Sequence, residues 1–515
     1  MESGDFNASH ESRGRWSSQT GFVLAAIGSA VGLGNIWRFS YMAYDNGGGA
    51  FLVPYILALF LAGIPLMILE YAVGHRLQSS SVLAFAKMGP KWEWLGWWMP
   101  LCATFGIMIY YAAVIGWCFN YIFLSLNQGW GQDTNHFFFN DFLQMEGASH
   151  FSPGAPISYI LTATAAVWFF CWLICYLGVK GGIEIACKIF MPLLLALTLI
   201  LVLWGLALPG AMDGIRAYLS PEWDKLKEPK VWADAFSQIF FTLSLGFGIM
   251  ITYASYLPKE TRLTTNALIT CFGNCLYSFI AGFAVFSVVG FMATQKGVGI
   301  DQVASASVGL AFVTYPEAIS NLPGYNALFG VLFFCALSIA GLSSGISLVE
   351  AMAASIHDKF RMPRKKVVTL VCVLGFLGSI IFTTRAGLLW LDVVDHFVTN
   401  FGLVTAGFLE CLIVGWIFRA KILRRHVNES GSRLPAIWDF LVKFVTPLVL
   451  LTILELRLYG LIRDGYGGYG WDVLILVGFQ VLAATLLASF FFASIPWDKH
   501  KLDEVHKPEG DRLLV

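Results

Sequence analysis

A chain of 515 residues with 57% hydrophobic and only 13% charged side chains lies outside the composition of ordinary soluble domains. Its 33 Lys and Arg balance 33 Asp and Glu, so no basic excess exists to make nucleic acid a partner. The composition points to a protein whose solvent is the lipid bilayer.

A hydrocarbon core of about 30 Å takes about 20 apolar residues per helical crossing. In chain order such stretches fall at 21–44, 51–74, 97–126, 158–179, 187–208, 233–257, 267–293, 326–355, 367–384, 390–418, 438–463 and 472–495. They predict an all-α integral membrane protein with twelve transmembrane helices and both termini on one side. Lys and Arg flank the cytoplasmic ends of spans. Arg13 and Arg15 precede span 1, Lys359, Arg361, Arg364, Lys365 and Lys366 follow span 8, and Arg419, Lys421, Arg424 and Arg425 follow span 10. The outer loop 128–157 has Asp133, Asp141 and Glu146 and no Lys or Arg. Both termini are therefore expected in the cytoplasm and the chain in the plasma membrane. Lys225, Lys227 and Lys230 break the trend beside nearby acids. The first twenty residues carry no apolar signal region, so span 1 is expected to act as its own insertion signal. The ten cysteines lie in or beside apolar spans, which reads as packing rather than a disulfide framework.

Hydrocarbon cannot satisfy freed backbone groups, so a span that looks broken is informative. Span 1 contains Gly28, Gly32, Gly34 and Asn35 near mid-membrane, and span 6 contains Thr242, Ser244, Gly246 and Gly248 at comparable depth. Each glycine weakens a helix by roughly 1 kcal/mol relative to alanine. Singly, such glycines serve close helix packing. Paired in spans 1 and 6, they occupy matching positions if spans 1–5 and 6–10 are two inverted halves, the sequence pointer to a midplane transport site. The chain then divides into a cytoplasmic segment 1–20, a first half 21–208, a second half 233–418, two further spans over 438–495 and a cytoplasmic tail 496–515. A channel would want a continuous polar path or filter rings, and an enzyme a nucleophile with a base or clustered metal ligands. Neither pattern is visible, so no catalytic residues and no enzyme activity are expected.

Several ordered motifs then carry a resemblance. Arg13-Gly14-Arg15-Trp16, the run from Gly28 to Asn35, Trp37-Arg38-Phe39 and Asn46-Gly47-Gly48-Gly49-Ala50-Phe51 open the chain. Gln238-Ile239-Phe240-Phe241-Thr242-Leu243-Ser244 lies in span 6 and Ala340-Gly341-Leu342-Ser343-Ser344 in span 8. Together they resemble the neurotransmitter:sodium symporter family, whose bacterial amino acid carriers have the leucine-transporter fold with a 5+5 inverted repeat and discontinuous helices 1 and 6. One departure is Ser40, where many members have proline.

The resemblance implies two sodium sites. One takes the Ala30 carbonyl, Asn35, Thr242, Asn274 and the substrate carboxylate. The other takes the carbonyls of Gly28, Val31 and Ala340 with the hydroxyls of Ser343 and Ser344. It places the substrate carboxylate at the Leu33 and Gly34 amides and Tyr111, and the ammonium near the Ala30 and Phe241 carbonyls with Thr242 and Ser244. Ile107, Tyr111, Ser244, Phe247, Ser344 and Leu348 complete the pocket. Carriers of biogenic amines have aspartate where this chain has Gly32, so a neutral, aliphatic amino acid is the expected substrate. The family balances charge near the first sodium either with a carboxylate in span 7 or with chloride. Four residues after Asn274 stands Ser278, and span 7 has no acid, so chloride held by Tyr55, Gln238, Thr242, Asn274 and Ser278 is expected, with proton antiport as the alternative.

Arg38 and Asp395 resemble the family's outer gate, with Tyr111 and Phe247 as its lid, and Arg13 and Asp358 with Tyr256 its inner gate. The intramembrane acids Glu70 and Glu410 are expected to brace the unwound backbone of spans 1 and 6. The expected protein is a sodium-coupled symporter, a monomer or weak dimer in membrane lipid. A non-transporting amino acid sensor of the same fold is the alternative.

Overall fold

With no water to take up backbone hydrogen bonds, a chain this apolar can cross the bilayer only as helices or a closed barrel. The computed structural model describes residues 14–303 and 307–497, and among these residues there is no strand beyond two isolated bridges. Ten helices are long and apolar enough to cross without interruption. They are Gly48–Leu77, Pro90–Ser125, Ser158–Tyr176, Val179–Leu206, Leu263–Lys296, Asn326–Phe360, Arg364–Thr383, Gly387–Ile417, Ile437–Asp464 and Trp471–Ser494. One bent pair, Gln19–Ala30 with Leu33–Asp45 (71°), makes an eleventh among the described residues, and we count the shorter broken pair Pro229–Thr242 with Ile249–Ala254 as one further span. Counted in chain order these are spans 1 to 12, with the interruptions in spans 1 and 6.

Burial separates scaffold from perimeter. Span 3 buries 83% of its most apolar window and span 12 only 28%. The inner piece of span 1 packs on spans 5, 7 and 8, while span 6 packs on spans 2 and 11. The interrupted helices are thereby enclosed by unbroken ones, which protects their exposed backbone from lipid. Proline does not break span 3: past Pro100 the helix widens to i→i+5 turns over Cys102–Met108.

Several boundaries differ from the sequence expectation. Span 3 begins at Pro90 and span 8 runs to Phe360, so Asp358 lies within a helix. Polar residues at these ends conceal the extra turns from a hydropathy reading. The outer loop is structured, with Phe138 and Phe142 buried against Tyr121. All ten cysteines are free, eight of them buried.

The loop after span 10 forms a helix, Ala420–Glu429, that returns beneath span 2. His75 Nε2 lies 2.8 Å from the Pro258 carbonyl and His75 Nδ1 lies 2.8 Å from His426 Nε2. A carbonyl only accepts, so His75 donates to Pro258 and accepts from His426. Burial first, then repulsion from His75 when both rings are protonated, and then the Arg76 charge push His426 down to about 4. The unfolded chain, with histidine near 6.5, then binds more protons between those values, so stability present at neutral pH is lost as pH falls from about 6.5 towards 4. The melting midpoint of the detergent-solubilised protein should fall across that window, and the fall should be shallower in His426→Gln. Parallel pH profiles of the two proteins would contradict it.

Candidate substrate and ion site

The interruption in span 1 is narrower than its glycines suggest. Helix stops at Ala30, Val31 and Gly32 are extended, and helix resumes at Leu33. Gly28 and Gly34 lie inside helix. In span 6 the break runs from Leu243 to Gly248, where Ser244, Gly246 and Gly248 have φ of 54°, 76° and 72°. Left-handed backbone costs a non-glycine residue roughly 1–2 kcal/mol, and Ser244 is held there while its hydroxyl donates to the Ser29 carbonyl at 3.2 Å. At Gly246 a Cβ would come within 2.9 Å of the Phe240 ring and 3.1 Å of the Leu403 carbonyl oxygen. Its amide donates to Glu70 Oε1 at 2.8 Å. Glu70 thus meets the break in span 6, whereas Glu410 is fully buried with both carboxyl oxygens unpartnered among the described residues.

Two polar clusters form at the breaks. In the first, Asn35 Nδ2 lies 3.0 Å from Thr242 Oγ1, 2.7 Å from Asn274 Oδ1 and 2.8 Å from Ser278 Oγ. Asn35 Oδ1 accepts from the Gly32 amide at 2.8 Å. A side-chain amide has two hydrogens, so three acceptors around it leave oxygen lone pairs in excess. In the second, the Ser344 hydroxyl lies 3.1 Å from the Val31 carbonyl and 3.5 Å from that of Gly28, and Ser343 donates to the Ala340 carbonyl at 2.9 Å. Both clusters offer neutral oxygens from carbonyls, hydroxyls and amides, the donor set that unwound transporter helices present to sodium. Among the described residues no three His, Cys, Asp or Glu converge as on a transition metal.

Beside the first cluster, Tyr55 donates to Cys275 Sγ at 3.4 Å and Ser278 to the Asn274 carbonyl at 3.2 Å. Gln238 is fully buried, and neither its amide nitrogen nor its oxygen has a partner among the described residues. A buried amide without partners is costly, so Gln238 marks a place fitted to a polar guest.

Between the breaks lies a cavity of about 130 Å³, several times the space a single water needs. Ala30, Leu33, Gly34, Ile107, Tyr111, Phe241, Thr242, Ser244, Phe247, Ser344 and Leu348 all line it. Tyr111 Oη accepts from the Leu33 amide at 3.1 Å. The cavity extends to Arg38 and Asp395, which form no ion pair with each other. Arg38 lies over the Phe241 ring, 4.8 Å from its centroid, and Asp395 accepts from Tyr110 at 2.5 Å. The opposite end holds a second cavity, of about 270 Å³, lined by Gly14, Tyr256, Asp358 and Arg364 among others. Trp16 is buried and its indole donates to the Tyr253 carbonyl at 2.8 Å. Asp358 accepts from the Ser80 amide at 2.8 Å, and Tyr256 donates to Glu350 at 2.7 Å. Arg13 lies outside the described residues.

Some residues at the site carry no sequence signal strong enough to find them. Ser29 donates to Ser347 at 2.8 Å and both line the cavity; each reads as an ordinary small residue in an apolar span. Glu350, fully buried in span 8 and paired with Arg364, is an intramembrane acid like Glu70 and Glu410 and carries the same sequence signal.

The chain matches the model of the sodium:neurotransmitter symporter family over residues 13–150 and 131–496. It is 48% identical to an uncharacterized sodium-dependent transporter of Methanocaldococcus jannaschii over 90% of this chain and 94% of that protein. It is 33% identical to the sodium- and chloride-dependent glycine transporter 1 of Xenopus laevis over 86% and 77% of the two chains. With the sodium-dependent serotonin transporter of Drosophila melanogaster it shares 31% identity over 98% and 87%. Two interrupted spans around a cavity, neutral oxygens at both breaks and a family match spanning nearly the whole chain agree: the protein belongs to the sodium:neurotransmitter symporter family and is a sodium-dependent membrane transporter, not an enzyme.

Proposed function

We propose that this transporter carries small neutral, aliphatic amino acids inward with sodium and chloride, by alternating access. The observation that carries the reading is Gly32. It stands at the break, beside the cavity, and supplies neither side chain nor charge to pair with an amine, so the substrate must bring its own carboxylate. The Leu33 and Gly34 amides and Tyr111 then receive that carboxylate, and the carbonyls of Ala30 and Phe241 with Thr242 and Ser244 receive the ammonium. Ile107, Phe247 and Leu348 favour an apolar side chain. Sodium binds in two places, at Ala30, Asn35, Thr242 and Asn274 together with the substrate carboxylate, and at Gly28, Val31, Ala340, Ser343 and Ser344.

The reading places the protein in the plasma membrane with cytoplasmic termini and takes 21–208 and 233–418 as inverted halves. Arg38 and Asp395 act as the outer gate, here without a mutual ion pair, and Asp358 with Tyr256, beside the second cavity, as the inner one. Closing the outer pair over bound substrate and opening the inner contacts would carry it across.

The test is uptake of labelled neutral amino acids into vesicles holding the purified protein, under an inward sodium gradient with and without chloride. Uptake requiring both ions is expected. Saturable binding without uptake would instead make the protein a sensor.

Chloride dependence rests on a cluster without a carboxylate and on the unpartnered amide of Gln238. Ser278→Glu supplies a fixed negative charge to that cluster, so it should transport equally well with and without chloride, where the unaltered protein loses about tenfold or more of its rate on chloride removal. Equal chloride sensitivity in both proteins would remove the site assigned here, and insensitivity in both would favour proton antiport.

A further inference from the structure

We propose that a groove between spans 9 and 12 holds an acyl chain of an anionic phospholipid, drawn from the leaflet at the C-terminal ends of spans 8 and 12. The groove encloses about 620 Å³ and is lined by Leu101, Phe105, Met352, Leu374, Ala484 and Phe492, among others. Its single polar liner, Thr485, accepts from the Trp98 indole at 3.2 Å and donates to the Leu482 carbonyl at 3.0 Å. No polar group is left to hold water, and a space without polar partners does not hydrate. The mouth faces lipid, with Leu370 and Leu374 exposed, and the floor reaches buried Leu101 and Met352.

Charge selects the headgroup. At the end of the groove where Phe360 and Met362 line it, the turn joining spans 8 and 9 carries exposed Arg361, and exposed Lys366 follows in the first turn of span 9; both attract an anionic lipid surface. The chain's own C-terminal segment is a poor rival. It leaves from Trp497, whose indole donates to Glu93 Oε2 at 2.7 Å and whose ring lies 4.4 Å from the Lys359 ammonium. From there it continues Asp-Lys-His-Lys-Leu-Asp-Glu-Val-His-Lys, too charged for an apolar slot. The groove also backs on the transport cavity. Met352 is one helical turn from Leu348, Phe105 is close to Ile107, and the Thr104 hydroxyl ties the two walls by donating to the Leu348 carbonyl at 2.8 Å. A lipid there touches the two helices that line the substrate site.

The test uses the full-length protein in nanodiscs containing phosphatidylglycerol or phosphatidylcholine with a photoreactive diazirine on the acyl chain, with label mapped by mass spectrometry. Label from phosphatidylglycerol should concentrate around Met352, Leu374 and Ala484. Ala484→Trp should remove it, leaving label on the span 5 face around Ile189 and Leu203 and the melting midpoint unchanged. Arg361→Gln with Lys366→Gln should cut the preference for phosphatidylglycerol by about fivefold per charge removed. If Ala484→Trp does not fold, Ala488→Leu and the charge variants carry the same test. Label spread evenly over all lipid-facing spans and unaffected by the variants overturns the proposal. So does groove label that appears only after residues 498–515 are deleted, or cross-linking between two copies at this face in place of lipid.

Discussion

Asn35→Ala should lower sodium-driven amino acid uptake by about 100-fold or more, with a raised sodium requirement in whatever transport persists. Asn35 is almost fully buried, takes the Gly32 amide on its oxygen, and places its nitrogen within 3.0 Å of Thr242, Asn274 and Ser278. Those four partners come from spans 1, 6 and 7, so one side chain joins the break in span 1 to the end of the first piece of span 6. Its removal strands the partly buried Gly32 amide and several buried oxygens. Each loss is worth about 1–3 kcal/mol, and two together correspond to about 100-fold. Uptake at graded sodium, beside a melting curve to exclude unfolding, is the measurement. Rates within about threefold of the unaltered protein at every sodium concentration would show that the cluster is structural packing and not an ion site.

Gly32→Asp should abolish transport of neutral amino acids, and Gly32→Ala should reduce it by about tenfold. A Cβ at position 32 would stand 2.9 Å from Tyr111 Oη and 3.0 Å from Ser344 Oγ. Even alanine must therefore displace a group that meets the Leu33 amide or the Val31 carbonyl. Aspartate adds a charge facing the place assigned to the substrate carboxylate. At about 4 Å and an effective dielectric near 20 that repulsion is worth about 4 kcal/mol, enough for a further factor of about 100 or more. A decarboxylated analogue escapes this repulsion, so Gly32→Asp should bind the amine better than the amino acid, reversing the order in the unaltered protein. Equal losses in the alanine and aspartate variants, with no reversal, would mean that crowding alone governs the position and that Gly32 says nothing about substrate class.

Much of the fold was legible because hydrocarbon imposes a strong rule: about 20 apolar residues per crossing, repeated twelve times, leave few architectures. The two interruptions were also visible as paired clusters of glycine and hydroxyl residues. Their extent was not. Gly28 and Gly34 remain helical, inside Gln19–Ala30 and Leu33–Ile36, and span 1 unwinds at Val31 and Gly32 alone. Helix ends were misjudged where polar residues extend an apolar span, as at Pro90 and at Asp358. Span 12 and span 3 both read as crossings, with mean hydropathies of 2.3 and 1.8, although one lies at the perimeter and the other at the centre, because hydropathy records solubility in lipid and not which neighbour covers a face.

Apolar run lengths, glycine clusters and ordered motifs are local features, and they were enough to name the solvent, the approximate number of crossings, the weakest stretches of helix and the family. Which oxygens meet is a matter of how the helices pack. Asn35, Thr242 and Asn274 are far apart along the chain, and each could have spent its hydrogen bonds within its own helix. Packing of spans 1, 6 and 7 brings them together, along with Ser278 and beside the unpartnered Gln238. The same holds for Arg38 and Asp395, without a mutual ion pair, and for the buried Trp16. Distances between elements are set by a balance of contacts over the whole bundle, which no single stretch of sequence records.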